Sequence, residues 1–132
     1  MHNFRSGFEV EIAEILGSQN IPFQYEDVIF EYYVLRNYTP DFRLTKKDGS
    51  DMLIEGKGYF TSADRTKMKL VREHHPDIDL RIWFQQDNWL TKKKKQRYSD
   101  WARKNGFKYH VGTKFPKKWK EELLIPSNVD EP

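Results

Sequence analysis

An α+β fold, a mixed β-sheet flanked by helices within a single α/β domain, is what the sequence predicts, and three observations carry that prediction. Phe8, Ile12, Ile15 and Leu16 fall at the i, i+4, i+7, i+8 spacing of an amphipathic helix. Asp48-Gly49 between two apolar runs is a hairpin signal. A period-two run around Leu80, Ile82 and Phe84 then follows a second helical stretch, and helices interleaved with strands cover the faces of a sheet. A length of 132 residues fits one domain, 1–132, read as a helix-and-strand segment over 1–38 and a body over 39–132.

Each element has its own local reason. Ser6-Gly7-Phe8-Glu9 reads as a capping box, with Ser6 as N-cap and Glu9 at N3, and Gly17 marks the end of that helix. Ile21 to Tyr38 is rich in aromatic and β-branched residues and predicts one or two strands, with Glu26-Asp27 as a break. Such an extended segment could exchange between protomers. The hairpin spans Asp41 to Thr45 and Met52 to Lys57, and Gly58 stops it. Thr61 or Ser62 caps a helix running to His74 or His75, which Pro76 ends. Asp79 to Gln85 is a buried strand, Tyr98 to Asn105 a helix with Gly106 at its C-terminal cap, Phe107 to Val111 a short strand and Pro116 to Leu124 a last helix. Ser127 to Pro132 is expected to be a frayed tail.

Composition excludes several classes. There is no cysteine, hence no disulfide framework and no thiolate metal site. No run is apolar enough for a membrane span, Met1-His2-Asn3-Phe4 does not read as a secretory leader, and a cytoplasmic location is the expectation. The four histidines make no zinc pattern, and the adjacent His74 and His75 read as cations at a helix C-terminus. There is no Walker A loop and no dinucleotide fingerprint. The net charge of +3 hides an asymmetry: six acids and no Lys or Arg lie between Phe8 and Glu31, whereas twelve Lys and Arg face Asp100 alone between Thr91 and Lys120. Basic residues interleaved with Trp89, Tyr98 and Trp101 suit a phosphate-contacting surface.

The chemistry centres on Pro40-Asp41 and, after 13 intervening residues, Glu55-Gly56-Lys57. Glu55 and Lys57, two apart on a strand, share a face. The hairpin loop decides whether Asp41 joins them. A two-residue Asp48-Gly49 turn would pair Phe42 with Glu55 and send Asp41 to the other face. A three-residue loop, Lys47-Asp48-Gly49 with Gly49 left-handed, pairs Asp41 with Glu55, and metal-assisted phosphodiester cleavage requires that version. The plain structural alternative is a turn aspartate and an ion pair on an edge strand.

These residues also resemble a family, the bacteriophage endonuclease I family of Holliday-junction resolvases. The resemblance rests on Phe4-Arg5-Ser6-Gly7-Phe8-Glu9, Tyr38-Thr39-Pro40-Asp41-Phe42, Ile54-Glu55-Gly56-Lys57-Gly58, Asp64-Arg65, Glu73-His74-His75-Pro76 and Asp79-Leu80-Arg81-Ile82-Trp83-Phe84, in that order. It weakens through the basic run. The Asp27 to Asn37 connection is shorter than the family's and lacks a proline-bearing bridge, and the basic arm expected before Phe4 is absent.

The resemblance implies a restriction-endonuclease-like fold and an intertwined, segment-exchanged homodimer. It implies that Asp41, Glu55 and the Gly56 carbonyl bind Mg²⁺, with Mn²⁺ substituting, that Lys57 orients or activates the attacking water, and that Glu9 serves a second metal position. The implied partner is branched double-stranded DNA, cut to leave 5′-phosphate ends in the cytoplasm of a phage-infected cell. The expected DNA contacts are Arg5, Arg65, Lys67, Lys92, Lys93, Lys94, Lys95 and Arg97, with affinity that falls steeply with salt. The rival readings are a nickase or restriction-type nuclease of the same fold and a non-catalytic DNA-binding module.

Overall fold

Residues 3–126 are described by the computed structural model, and they fall into two units, Met1–Arg36 and Asn37–Pro132. The tail assigned to Ser127 to Pro132 lies outside the described residues.

In the first unit, helix α1 covers Gly7–Ser18. Ser6 caps it, its hydroxyl accepting the Glu9 N–H at 3.2 Å. Gly17 does not end it. The stop comes at Asn20, whose φ of 58° lets its N–H reach the Gly17 carbonyl at 3.1 Å while Ile21 N–H reaches the Leu16 carbonyl at 2.8 Å. A left-handed residue is what that closing motif needs, and asparagine adopts it more readily than other side chains.

No strand forms between Ile21 and Tyr38 among the described residues, contrary to the sequence prediction. Val28, Ile29, Phe30, Tyr32, Tyr33, Val34 and Leu35 are all exposed. β-Propensity expresses fit onto a half-buried pleated surface, and this run has neither the alternation nor a paired neighbour to supply one. With no strand to interrupt, Glu26-Asp27 is not a strand break, though Glu26 does take a left-handed φ of 49°.

The second unit holds a four-stranded mixed sheet in the order β1-β2-β3-β4, with β1 Phe42–Thr45, β2 Asp51–Lys57, β3 Leu80–Phe84 and β4 Tyr109–Val111. β1 and β2 are antiparallel, and the later neighbours are parallel. Three helices join them: α2 Ser62–His74, α3 Tyr98–Lys104 and α4 Lys117–Lys120. Thr61 caps α2 in a capping box with Asp64, and His74 occupies the last turn with a ring nitrogen 2.8 Å from the Leu70 carbonyl.

Alternation divides the core between the two faces of the sheet. Leu80, Ile82 and Phe84 join Phe60, Met68, Tyr98, Trp101, Ala102 and Phe107 in the larger cluster. Met52 and Ile54 of β2 join Trp119 in the smaller one. α4 is shorter than Pro116 to Leu124, because beyond Lys120 the chain leaves the helix to pair with the hairpin, Leu124 N–H donating to the Thr45 carbonyl at 2.9 Å. Arg81, 1% exposed, ties β3 to that segment through bonds of 2.7 and 2.8 Å to Glu122 and two of 2.8 Å to Asp79.

Candidate active site

The hairpin loop has three residues, as the chemistry demanded. Gly49 N–H donates to the Lys46 carbonyl and Lys46 N–H to the Ser50 carbonyl, both at 2.8 Å, and Gly49 takes a φ of 87°. The ladder pairs Phe42 with Ile54, so one step further Asp41 stands opposite Glu55. Directly opposed residues of an antiparallel pair share a face. β2 lies between β1 and β3, so Glu55 and Lys57 occupy a central strand, and the edge-strand alternative falls away.

Glu55 is 8% exposed, and a carboxylate this enclosed needs partners. It has two: the Tyr38 hydroxyl donates to Oε1 at 2.6 Å and Lys57 Nζ lies 3.3 Å from Oε2. Asp41 is exposed, and its Oδ2 accepts the Gly56 N–H at 2.9 Å. Lys57 also meets Asp64 Oδ1, at 3.1 Å, at the start of α2.

Electrostatics fixes the charge states. Burial pulls the Lys57 ammonium down, but Asp64 and Glu55 outweigh it and the net shift is upward, so Lys57 stays cationic. Burial likewise raises the Asp64 carboxyl, and its bonds to Thr61 and Lys57 overcome that and leave it lowered. Burial first, then the bonded Glu55 carboxylate, push the Tyr38 hydroxyl far above an ordinary phenol, so it remains a donor.

Tyr38 and Asp64 are site residues to which sequence reasoning gave no role. Both lie in stretches that carry the resemblance, Tyr38 three residues before Asp41 and Asp64 seven after Lys57. A tyrosine just ahead of the Pro-Asp pair and an acid in the next helix's first turn were the available signals.

Glu9 belongs to the first unit. Its carboxylate accepts the Arg5 N–H at 2.9 Å and the Tyr25 hydroxyl at 3.0 Å, so it serves the helix start as the capping pattern foretold, one residue earlier than the box requires. Among the basic residues, Lys67 and Lys92 to Lys95 are exposed, the latter at the tip of a loop closed by the Leu90 N–H bond to the Gln96 carbonyl. Three arginines have local work as well. Arg5 pairs with Glu26 at 2.9 Å, Arg65 donates to the Phe60 carbonyl at 2.8 Å, and Arg97 lies 4.0 Å over the Trp89 ring while donating to the Asp87 carbonyl.

No group of three or more metal-ligating His, Asp or Glu side chains occurs among the described residues. Asp41, Glu55 and the Gly56 backbone offer only oxygen donors. Hard oxygen ligands few in number suit Mg²⁺ or Mn²⁺, which keep several waters, better than metals that want imidazole or thiolate.

The family model for phage endonuclease I matches residues 1–130. The chain belongs to the phage endonuclease I family. Endonuclease I of Escherichia phage T7 is 35% identical over 123 residues, covering 90% of this chain and 79% of its own length. Endodeoxyribonuclease 1 of Enterobacteria phage T3 is 36% identical over 125 residues, covering 87% of this chain and 80% of its own. The phage endonuclease I match spans both units, and no helix among the described residues is long and apolar enough to cross a membrane.

Proposed function

We propose that this protein is an Mg²⁺-dependent endodeoxyribonuclease that resolves four-way and other branched DNA junctions as a homodimer in the cytoplasm of an infected cell. The observation that carries the reading is the hairpin register, which brings Asp41 opposite Glu55 with Lys57 on the same face. The endonuclease and endodeoxyribonuclease names of its relatives support DNA cleavage.

Asp41, Glu55 and the Gly56 carbonyl would hold the ion, which when bound lowers the pKa of its water and neutralises charge on the phosphate. Lys57, 3.3 Å from Glu55 and 3.1 Å from Asp64, would place a positive charge where the oxyanion develops and orient or activate the attacking water. Glu9 would serve a second metal position. Lys92 to Lys95 and Lys67, exposed and with no ion pair among the described residues, would meet the phosphates of the junction arms.

The homodimer draws support from α1 and the segment after it. Phe8 and Ile15 are 68% and 54% exposed, and Leu35 reaches 95%. Large apolar side chains left this exposed suit an interaction site, and a second copy exchanging the same segment would cover them. Each active site would then draw Glu9 from one protomer and Asp41, Glu55 and Lys57 from its partner.

The test is cleavage of an end-labelled four-way junction against a linear duplex of the same arms, in Mg²⁺, with Lys57→Ala beside the wild type. Symmetric cuts near the branch leaving 5′-phosphates, reduced by about a hundredfold or more in the variant while junction binding persists, are the expected result. Binding without cutting in either Mg²⁺ or Mn²⁺ overturns the enzyme, and equal cutting of both substrates overturns junction selectivity alone.

A further inference from the structure

The site's two carboxylates share a feature that bears on which ion they accept, an inference that rests on the metal reading above. Each has one oxygen already committed to an uncharged donor: Asp41 Oδ2 to the Gly56 N–H at 2.9 Å, and Glu55 Oε1 to the Tyr38 hydroxyl at 2.6 Å. Neither donor is free to swing. The Gly56 amide belongs to β2, where Gly56 pairs with Trp83 of β3, and the Tyr38 ring is half-buried against the larger core cluster.

A carboxylate with one oxygen accepting a fixed hydrogen bond is turned so that its other oxygen is the better placed to bind, and in Glu55 that oxygen, Oε2, also lies 3.3 Å from Lys57 Nζ. Two such groups suit an ion that takes one oxygen from each and keeps the rest of its shell for water and phosphate. Mg²⁺ has that habit, since it demands octahedral geometry and parts with water reluctantly. Ca²⁺ takes more oxygens and often both from one carboxylate. We propose that Tyr38 is a positioning residue that makes Glu55 a one-oxygen ligand and thereby biases the site toward Mg²⁺ and Mn²⁺ and against Ca²⁺.

The competing role is plain satisfaction of a buried carboxylate. The two roles part company on ion choice. A hydroxyl that merely fills a hydrogen bond costs stability when removed and weakens all ions alike, whereas one that restricts Glu55 to a single oxygen changes their ratio.

The experiment compares the full-length wild type with Tyr38→Phe, which keeps the ring and loses only the donor. Bound Mn²⁺ is followed by electron paramagnetic resonance while Ca²⁺ is titrated in, and junction cleavage in Mg²⁺ is followed under the same titration. Ca²⁺ should displace Mn²⁺ and inhibit cleavage at concentrations lower by about tenfold in the variant. Tyr38→Met, also without a donor but of different shape, should shift the ratio the same way, which guards against a folding defect of the first variant. Identical Ca²⁺ titrations in wild type and both variants overturn the role of Tyr38 and leave the metal reading standing. A wild type that takes up no Mn²⁺, with Asp41→Asn indistinguishable from it, overturns the metal reading and this inference with it.

Discussion

Asp79 shows how a single side chain carries stability in this sheet. It holds Lys46 at 2.8 Å and two nitrogens of Arg81 at 2.8 Å, beside a guanidinium that is itself 1% exposed. Burial raises its carboxyl, but the bonds from Arg81 and Lys46 win and bring it down to about 2. An aspartate depressed below its unfolded value of about 3.9 contributes stability that is fully present above that value and lost as the pH falls through the folded one, here worth roughly 2 kcal/mol. Asp79→Asn should therefore lower the urea unfolding free energy by about that amount at pH 6 and by far less at pH 2. Equal losses at both values would remove the charge from the account. Tyr38 is the counter-case for what a sequence discloses. Asp41, Glu55 and Lys57 declare themselves by residue type and spacing, but the bond from Tyr38 to Glu55 depends on a crossing between segments 17 positions apart, and no local pattern encodes it.

The hairpin is the element on which the site turns. Its register follows from loop length: turn chemistry left a two-residue and a three-residue loop both open, and only the need to bring Asp41 to Glu55 chose between them. Gly49 supplies the left-handed residue of the three-residue connection. Deleting Ser50 while the Lys47-Asp48-Gly49 loop is kept would pair Lys46 with Asp51 and Phe42 with Glu55 and so carry Asp41 to the opposite face. Junction cleavage should fall by more than about a hundredfold, while circular dichroism keeps the sheet's signature. Retained cleavage would mean that the strand bulges to restore the register. The capping signals at Ser6 and Thr61 were legible because each is settled within one helical turn. The segment from Ile21 to Tyr38 was misread because strand propensity is redeemed only by a partner, and the described chain offers it none.

Across the whole molecule, acid and base are segregated: no Lys or Arg from Phe8 to Glu31, and eleven more bases than acids from Thr91 to Lys120. The acidic stretch coincides with α1 and its exposed apolar side chains, which form no core in their own unit. A helix usually gains most of its stability by burying its apolar face, and α1 has no buried residue, so the proposed homodimer would give that face a surface to bury against. The decisive arrangement is genetic rather than geometric. In a mixed dimer of a Glu9→Ala chain with an Asp41→Ala chain, sites built across two protomers leave one site with both defects and one with none. Sites built within a protomer leave one defect in each. Either variant alone should be inactive on a four-way junction, and the mixed dimer should nick one strand of each junction without the paired second cut. A mixed dimer as silent as its parents would place Glu9 and Asp41 of one chain in the same site, and the exchange of α1 would lose its functional reason.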